Sequence, residues 1–438
     1  MQNLVEKIAS AGVVGAGGAG FPTHIKYQKK VEYFILNGAE CEPLLQIDQQ
    51  IMEYYAEEIV YTLKQIKEAL GNPTVIIGVK EKYKSAINSL QKAITESGGG
   101  INIAKLGNFY PIGDEQILVW ECTGRIVPEG GIPLQVGVVV SNAGTVLNIF
   151  YALADKPVIK RVVTVAGAVE NPFTAFLPIG ISLEEVIKLA KPLIKKFKVI
   201  TGGPMMGMLV KDVTKEVVRK TTTGILIFPE DAFIVQKYSQ PFNSVTRRGR
   251  EICFQCRQCT DLCPRYLQGH RIEPHLAMRH LFLKRDVPHP MAFLCVECGV
   301  CEYACPASLS PRRVFQNNKK ELTRLGVKNP FCLTPKEVRN FKEYRKVPFR
   351  KIIAYLKLHP YINRKAPLKK IDYTPSYVFI PLKQHIGEPS IPVVKEGERV
   401  REGELIGETP AGKPGARVHS SIDGYIKKID REGILIEA

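Results

Sequence analysis

The sequence predicts a multidomain protein of mixed α/β and α+β class, and three observations support this prediction. The chain has 438 residues, more than one hydrophobic core usually supports, so several domains are expected. Strand and helix patterns alternate over about the first third, whereas the end of the chain contains short strands separated by Gly and Pro. Between these regions, eight of the eleven cysteines fall in two runs of identical spacing.

Residues 1–156 form the first predicted domain, an α/β layer. Four apolar runs have the length of buried strands, at residues 33–36, 75–79, 101–106 and 136–140. Helical patterns lie before and between them, at residues 3–10, 49–70 and 81–95. Because strands that alternate with helices usually pair in parallel, we expect a largely parallel sheet.

Residues 157–240 predict a small β-grasp domain of the soluble-ligand-binding kind. A β-branched segment at Arg161–Gly167 is followed by a break at Asn171-Pro172, and one helical pattern follows at Leu183–Ala190. A turn at Gly202–Pro204 then leads into the remaining short strands.

Residues 241–328 contain the two cysteine runs, each with the spacing C-x-x-C-x-x-C-x-x-x-C-P, and predict a helical, bacterial-ferredoxin-like domain with two 4Fe-4S clusters. The first run is Cys253, Cys256, Cys259 and Cys263, and the second is Cys295, Cys298, Cys301 and Cys305. In this motif the fourth cysteine of each run ligates the other cluster. The predicted ligand sets are therefore Cys253, Cys256, Cys259 and Cys305, and Cys263, Cys295, Cys298 and Cys301.

Zinc sites and disulfides are the alternative uses of these cysteines. Zinc needs four ligands at looser spacing, and no His lies at zinc-finger spacing after either run. A disulfide framework is typical of short secreted chains, whereas this chain starts without a signal-peptide pattern and has further scattered cysteines at Cys41, Cys122 and Cys332. The doubled motif therefore favours clusters that carry single electrons.

Residues 329–372 predict a basic helical connector. Between Pro311 and Lys370 there are eighteen Lys or Arg and three Glu, so this stretch supplies most of the net charge of +18. No nucleic-acid recognition motif accompanies the charge, so no nucleic-acid partner is expected. Lys-rich solvated helices, or a surface that steers an acidic redox partner, explain it instead.

Residues 373–438 predict an all-β domain whose strand–turn–strand units resemble the barrel-sandwich of lipoyl and biotinyl carriers. Such carriers hold a modifiable lysine at a hairpin tip, whereas Lys413 here precedes Pro414. We therefore expect the domain to be structural. The sequence contains no run of about 18 apolar residues, so no transmembrane segment is expected and a cytoplasmic location is predicted.

A glycine loop at Gly15–Gly20 satisfies the G-x-G-x-x-G pattern of Rossmann dinucleotide sites. Glu40, twenty residues after Gly20, agrees with the acid that such a site uses to bind a ribose. The context disagrees, because that fingerprint follows a strand, whereas residues 3–10 predict a helix and Phe21-Pro22 ends the loop.

The loop and three further motifs resemble another family, the flavin-carrying subunit of respiratory complex I and the C subunit of Rnf complexes. The further motifs follow in the family's order, at Asn37–Pro43, Tyr110–Gln116 and Ser141–Thr145. This resemblance implies an FMN site, with NADH as the substrate. A loop without side chains lets backbone N–H groups approach a phosphate and leaves room for a flat ring.

The resemblance also implies roles for individual residues. The glycines that would line FMN and the nicotinamide are Gly15, Gly17, Gly18 and Gly20. Lys26, Asn142 and Thr145 would contact the phosphate end of the flavin. Asn37 would contact its ring or ribityl chain, and Asp114 and Glu115 would lie at the edge of the ring. Glu40 and Glu42 are the catalytic candidates and would face the incoming NADH. The flavin-carrying subunits of complex I have an acidic residue where this chain has Ala39.

The order of the domains indicates which member of this family the chain resembles. The C subunits of Rnf complexes carry the barrel-sandwich before the glycine loop, whereas here Ile380–Gly387 opens it near the end, as in the cobalamin reductases of propanediol-utilising microcompartments. Membership of that family implies electron transfer from NADH through FMN and two clusters to a corrinoid, with a location inside a bacterial microcompartment as an option. The alternatives are an Rnf C-like protein that exchanges electrons with ferredoxin or a membrane partner, and a non-catalytic electron-wiring protein.

Overall fold

The structure is a computed structural model that describes residues 2–281, 288–371 and 373–438. It contains a parallel sheet with helices, a mixed five-stranded sheet, a cysteine-rich helical region and two antiparallel sheets near the end of the chain. This arrangement confirms the predicted multidomain α/β and α+β fold class. Within the described ranges, no helix combines the length and the apolar character needed to cross a bilayer.

The first domain is built on a four-stranded parallel sheet. Its strands are β1 (Tyr33–Gly38), β2 (Thr74–Lys80), β3 (Asn102–Leu106) and β5 (Val138–Asn142), and β4 (Phe109–Tyr110) lies outside the sheet. The helices are α1 (Gln2–Ser10), α2 (Thr23–Lys26), α3 (Ile47–Tyr54), α4 (Ala56–Ala69), α5 (Lys84–Glu96), α6 (Glu115–Thr123) and α7 (Ala143–Leu153), with a 3-10 turn at Pro133–Val136. The strands pair in parallel in the order β3-β2-β1-β5, as predicted.

Helices cover both faces of this sheet, as parallel sheets require. Phe34 and Leu36 of β1 pack into one core with helices α3, α4, α5 and α7, whereas Ile35 packs into a second core with α6. The single helix predicted at 49–70 is two helices, because the backbone of Tyr55 leaves the helical region at a φ of −125°. The Tyr55 ring packs edge-on against Phe176 of the second domain.

The second domain has the strand order of a β-grasp fold. Its elements are β6 (Lys160–Gly167), β7 (Phe173–Pro178), α8 (Leu183–Ala190), β8 (Phe197–Thr201), β9 (Met208–Leu209) and β10 (Gly224–Pro229). The sheet order is β7-β6-β10-β8-β9, with β6 and β10 parallel and the other pairs antiparallel. The first and last strands are thus central neighbours, and this confirms the predicted β-grasp domain.

The cysteine-rich domain and the connector consist mainly of short helices. The elements are α9 (Phe233–Ser239), α10 (Phe242–Ile252), α11 (Gln258–Asp261), α12 (Pro264–Leu267), α13 (Pro274–His280), α14 (Val300–Tyr303), α15 (Pro311–Arg324), β11 (Val347–Pro348), α16 (Phe349–Tyr355) and α17 (His359–Ile362), with 3-10 turns at Pro290–Leu294 and Glu343–Arg345. Part of the connector's charge is paired inward, because Lys342 and Lys346 lie 2.8 and 2.9 Å from the carboxylate of Glu121. The connector therefore packs on the first domain, where β11 also pairs with β4.

The C-terminal domain consists of two antiparallel sheets. Its strands are β12 (Tyr377–Pro381), β13 (Ile391–Pro392), β14 (Arg399–Val400), β15 (Leu405–Glu408), β16 (Val418–His419), β17 (Gly424–Ile429) and β18 (Gly433–Glu437). The orders β12-β18-β17-β14 and β13-β15-β16 form the predicted barrel-sandwich, and Lys413 lies in an exposed turn. The domain also contacts the glycine loop, because the backbone N–H of Ile386 donates to the carbonyl of Ala19 at 3.2 Å.

Candidate functional site

The parallel sheet has its topological switch point between β1 and β5. From β1 the chain continues to β2 and β3 on one side, and β5 is added on the other side. Ligands of open α/β sheets bind outside the carboxyl ends of the strands at such a point. Asn37 and Asn142, at the ends of β1 and β5, face each other in register there. Two of the predicted site residues therefore lie at this crevice.

The glycine loop packs against the end of β5. A Cβ atom added at Gly17 would lie 3.0 Å from the Cβ of Asn142, whereas one added at Gly18 would meet nothing within 4 Å. The loop follows helix α1, and a bridge between Val14 and Pro22 closes its base. A Rossmann site, which requires a strand before the loop, therefore does not fit. The open space at Gly18 is what a flat ring lying against the backbone requires.

Residues of α7 and β6 hold the loop in place. The backbone N–H of Ala16 donates to the Thr145 hydroxyl at 2.8 Å, and the Arg161 guanidinium donates to the carbonyl of Ala16 at 2.5 Å. Asn142 caps α7, because its Oδ1 accepts from the backbone N–H of Gly144 at 2.9 Å. Asn142 and Thr145 thus place the loop at the N-terminus of a helix, where the helix dipole favours an anion.

Lys26 and Glu115 lie together beside β5. Lys26 Nζ is 3.0 Å from Glu115 Oε1 and donates to the carbonyl of Val140 at 3.2 Å. The family resemblance implied opposite ends of the flavin for these two residues, whereas the structure joins them in one ion pair. Because this pair is partly exposed, it contributes little stability, and a bound anion can compete for Lys26.

Asn37 and Asp114 make contacts within the protein. The Asn37 amide donates to the carbonyl of Gly113 at 2.9 Å, which ties the end of β1 to the loop before α6. Asp114 caps α6 by accepting from the backbone N–H groups of Gln116 and Ile117. Its second oxygen accepts from Arg265 of the cysteine-rich domain at 2.8 Å. Asp114 therefore joins the crevice to the domain that contains the cysteines.

Glu40 and Glu42 lie on the loop after β1 but have different neighbours. One oxygen of Glu40 accepts from the backbone N–H of Ile47 at 3.2 Å, and the other has no partner among the described residues. Glu42 accepts from the backbone N–H of Met205, in the β-grasp domain, at 2.7 Å. Burial, with the nearby carboxylate of Asp48, raises the pKa of Glu40 well above its ordinary value. Burial also raises the pKa of Glu42 to about 7.

Three charged residues that the sequence did not single out complete the crevice. Asp48, Lys80 and Arg161 are 7%, 0% and 3% exposed. The carboxylate of Asp48 accepts from the Asn142 amide at 2.9 and 2.8 Å. Lys80 is the last residue of β2 and directly follows the apolar run at 75–79. A charged residue at the carboxyl end of a buried strand could therefore have indicated this site from the sequence. Asp48 directly precedes the predicted helix at 49–70, and Arg161 begins the β-branched segment at Arg161–Gly167, so neither position gives such a signal.

The crevice fits a bound flavin. It offers open space at Gly18, and both the Lys80 ammonium and one oxygen of Glu40 lack a hydrogen-bond partner among the described residues. Buried polar groups are normally hydrogen-bonded, so an unpartnered donor and an unpartnered acceptor at one crevice indicate a ligand that offers both kinds of atom. The isoalloxazine ring of FMN has carbonyl acceptors and an N–H donor along one edge.

The eight motif cysteines lie in two groups of four, and each group contains the fourth cysteine of the other run. Cys253, Cys256, Cys259 and Cys305 line one cavity, and Cys263, Cys295, Cys298 and Cys301 line another. Within the described ranges, no three His, Cys, Asp or Glu converge on a site for a single metal ion. Burial raises the pKa of Cys259 and of Cys295 to about 12. A bound metal centre would stabilise the thiolate form at these positions.

The two cysteine sets differ in their surroundings. The hydroxyl of Tyr110, in the first domain, donates to the carbonyl of Cys298 at 2.8 Å and lies 3.4 Å from Glu42 Oε1. Cys298 is buried, whereas Cys256 is exposed and its neighbour Phe254 is 67% exposed. We call the set of Cys298 the inner set and the set of Cys256 the outer set, because the first borders the flavin crevice and the second borders solvent.

Three family models match the chain in the order of its domains. Residues 8–151 match the Nuo51 FMN-binding domain, residues 252–310 match a 4Fe-4S dicluster domain, and residues 357–436 match the RnfC barrel sandwich hybrid domain. Together with the crevice and the paired cysteine sets, these matches define the class: the chain is an iron–sulfur flavoprotein oxidoreductase with FMN and two 4Fe-4S clusters.

Two curated relatives are similar over nearly the whole chain. The cobalamin reductase PduS of Citrobacter freundii is 41% identical over 99% of this chain and 96% of its own length. The cobalamin reductase PduS of Salmonella typhimurium is 41% identical over 98% of this chain and 95% of its own length. The chain belongs to this PduS family.

More distant similarities cover part of the chain. The C subunit of the Na⁺-translocating ferredoxin:NAD⁺ oxidoreductase complex of Acetobacterium woodii is 38% identical over 60% of this chain and 58% of its own length. The crystal structure of an NAD⁺-reducing NiFe hydrogenase in the H₂-reduced state aligns with a TM-score of 0.50 at 19% identity, over 74% of this chain and 62% of that chain. The hydrogenase similarity concerns the fold alone.

Proposed function

We propose that the protein oxidises NADH and delivers the electrons one at a time to a corrinoid. The observation that carries this proposal is the similarity, over nearly the whole chain, to two curated proteins named cobalamin reductase. When bound, FMN accepts a hydride and releases its two electrons singly, and 4Fe-4S clusters carry one electron each.

The residues of the crevice bind and orient the reactants in this proposal. The loop at Gly15–Gly20 and Lys26 hold the flavin, with Asn37 and Thr145 fixing the backbone around it. Oxidation of NADH by one-electron acceptors yields NAD⁺, one proton and two electrons, and a protein group near the crevice would carry the proton to solvent. Glu42 suits this role, because burial raises its pKa to about 7.

We assign the inner set of cysteines to the cluster on the flavin side and the outer set to the cluster on the acceptor side. The contact between Tyr110 and Cys298, at 2.8 Å, supports the first assignment. The exposure of Cys256 and Phe254 supports the second. Electrons would then leave the protein at the surface around Phe254.

A comparison of acceptors tests the proposal. Anaerobically purified protein with NADH is expected to reduce cob(III)alamin, and Cys256→Ser should abolish this reduction while NADH oxidation with ferricyanide persists. Faster electron transfer to ferredoxin than to the corrinoid would favour the Rnf C-like function, which the Acetobacterium woodii similarity supports. Absence of bound flavin in the purified protein would contradict both functions and leave an electron-wiring role.

The proposal includes a cytoplasmic location inside a bacterial microcompartment, with other redox enzymes as partners. This part rests on the family resemblance. Sedimentation of the protein with microcompartment shells from lysed cells would support it, and recovery in the soluble fraction of cells that contain intact shells would contradict it.

A further inference from the structure

Lys80 is a buried lysine without a hydrogen-bond partner. Its side chain is 0% exposed, and its Nζ atom has no hydrogen-bond partner and no ion pair among the described residues. Burying a charged ammonium without a partner is costly. Burial lowers its pKa to about 8, so the group is still mostly protonated at neutral pH. A residue that lowers stability in this way is more often kept for function than for folding.

The surroundings of Lys80 consist of two aromatic rings and two carboxylates that lie near the flavin crevice. The ring of Phe349 covers one side, with its centroid 4.5 Å from Nζ, and the Tyr83 ring lies 5.8 Å away. The carboxylates of Glu40 and Asp48 are close enough to favour the ammonium electrostatically, yet neither forms an ion pair with it. One oxygen of Glu40 is unpartnered as well. An unpartnered ammonium and an unpartnered carboxyl oxygen therefore lie near each other without binding each other.

We propose that Lys80 is a flavin-recognition residue, which donates a hydrogen bond to a carbonyl oxygen of the bound ring and places a positive charge beside it. The unpartnered oxygen of Glu40 supplies the matching acceptor for the ring N–H group. A positive charge at this position also stabilises the ring when it is reduced and carries more negative charge. The inference rests on the proposed FMN site and adds a residue and an electrostatic role to it.

Two substitutions of Lys80 separate its hydrogen bond from its charge. Lys80→Met removes both, and Lys80→Gln retains a donor without charge. We expect Lys80→Met to weaken FMN binding to the deflavinated full chain by roughly 10- to 100-fold, the range for a hydrogen bond from a charged donor. Lys80→Gln should weaken it less, and both variants should lower the reduction potential of the bound flavin. Flavin fluorescence titration and a spectroscopic redox titration measure these quantities.

Lys82→Met is the matched control. Lys82 Nζ lies at the same distance, 4.5 Å, from the Phe349 ring, but the residue is exposed. This variant should leave the affinity for FMN and the flavin potential unchanged. An equal effect of Lys82→Met and Lys80→Met would show that the Phe349 contact matters and not the buried ammonium, and would overturn the proposal.

The stability of the flavin-free protein distinguishes recognition from a structural role. If Lys80 serves the ligand, Lys80→Met leaves the unfolding midpoint of the flavin-free chain unchanged or raises it, because an unpartnered buried charge is removed. A lowered midpoint with unchanged flavin affinity and potential would show a structural role and overturn the proposal. If the wild-type chain binds no FMN at all, the proposed function fails first. Wild-type FMN binding with no loss in Lys80→Met contradicts the Lys80 role alone.

Discussion

The inner and outer cysteine sets share one spacing but lie in different environments. The inner set contacts the flavin domain at two points. Tyr110 of that domain binds the carbonyl of Cys298, and Arg265, close to Cys263, forms an ion pair with Asp114. The side chains of Arg265 and Asp114 are 7% and 14% exposed. At the outer set, the corresponding ion pair joins Arg257 to Glu273, with side chains 45% and 31% exposed. The motif therefore predicts which cysteines bind a cluster, and the surrounding domains distinguish the inner set from the outer set.

The largest expected effect comes from removing the crossed cysteine of each set. Cys263→Ser should destroy the inner cluster and Cys305→Ser the outer one, so that iron falls from about eight to about four atoms per chain in each variant. NADH should still reduce the remaining inner cluster in Cys305→Ser, but it should not reduce the remaining outer cluster in Cys263→Ser. Iron analysis and EPR spectra after addition of NADH measure both outcomes.

These two variants also test the crossed ligation itself. If Cys263→Ser removed the cluster held by Cys253, Cys256 and Cys259, each run would bind its own cluster and the assignment would be wrong. If NADH reduced the remaining outer cluster in Cys263→Ser, electrons would reach the outer cluster without the inner one, and the proposed order of the two clusters would be wrong.

The ion pairs near the two sets should differ in their contribution to folding. Asp114→Asn keeps the cap of α6 but leaves the buried Arg265 without its counter-charge, so we expect a loss of about 3 kcal/mol in the free energy of unfolding. Glu273→Gln, at the exposed pair, should cost at most about 1 kcal/mol. Chemical denaturation of the two variants measures this, and equal losses would show that the inner junction is no more buried in solution than the outer surface.

The cysteine sets could be predicted from the sequence because their ligands lie in short, regular motifs. Of the three buried charged residues at the flavin crevice, only Lys80 had a sequence signal, at the carboxyl end of a buried strand. Asp48 and Arg161 could not be predicted, because they come from a helix and a strand that meet through tertiary packing. The same reason applies to the contact between Glu42 and Met205, which is 163 residues away in the sequence. The glycine loop was recognised, but the pairing of Lys26 with Glu115 depends on where α6 begins relative to β5, and residue patterns do not fix that distance.

Glu42, on the inner side, should make stability depend on pH. Its pKa in the folded protein, about 7, lies above the ordinary 4.5 of a glutamate. The folded state therefore holds a proton that the unfolded state releases, and stability should fall as the pH rises from about 4.5 to about 7. The contribution of Glu42 is about 3 kcal/mol. Glu42→Gln should remove this contribution, whereas Glu40 and Asp48, whose pKa values burial also raises, retain a dependence of the same sign.

Denaturation curves between pH 4.5 and 8 test this prediction for wild type and Glu42→Gln. Glu251→Gln is the matched control, because Glu251 is exposed and lies two residues before Cys253 of the outer set. This control should keep the wild-type dependence on pH. An unchanged slope in Glu42→Gln would show that another group at the junction takes up the proton.

The smallest expected effect concerns Phe254, between two cysteines of the outer set. Because its side chain is 67% exposed, Phe254→Ser should change the free energy of unfolding by less than about 0.5 kcal/mol. Phe254 is a large apolar side chain exposed beside the outer set, and we expect an acceptor that docks there to contact it. Reduction of cob(III)alamin should then slow by roughly fivefold, about 1 kcal/mol. NADH oxidation with ferricyanide should stay at the wild-type rate.

Tyr344→Ser is the matched control. Tyr344 is a connector residue that is 88% exposed and lines neither cysteine cavity, so this variant should leave both rates unchanged. If Tyr344→Ser slowed corrinoid reduction and Phe254→Ser did not, electrons would leave near the basic connector, and the outer set would lose the role that its exposure suggests.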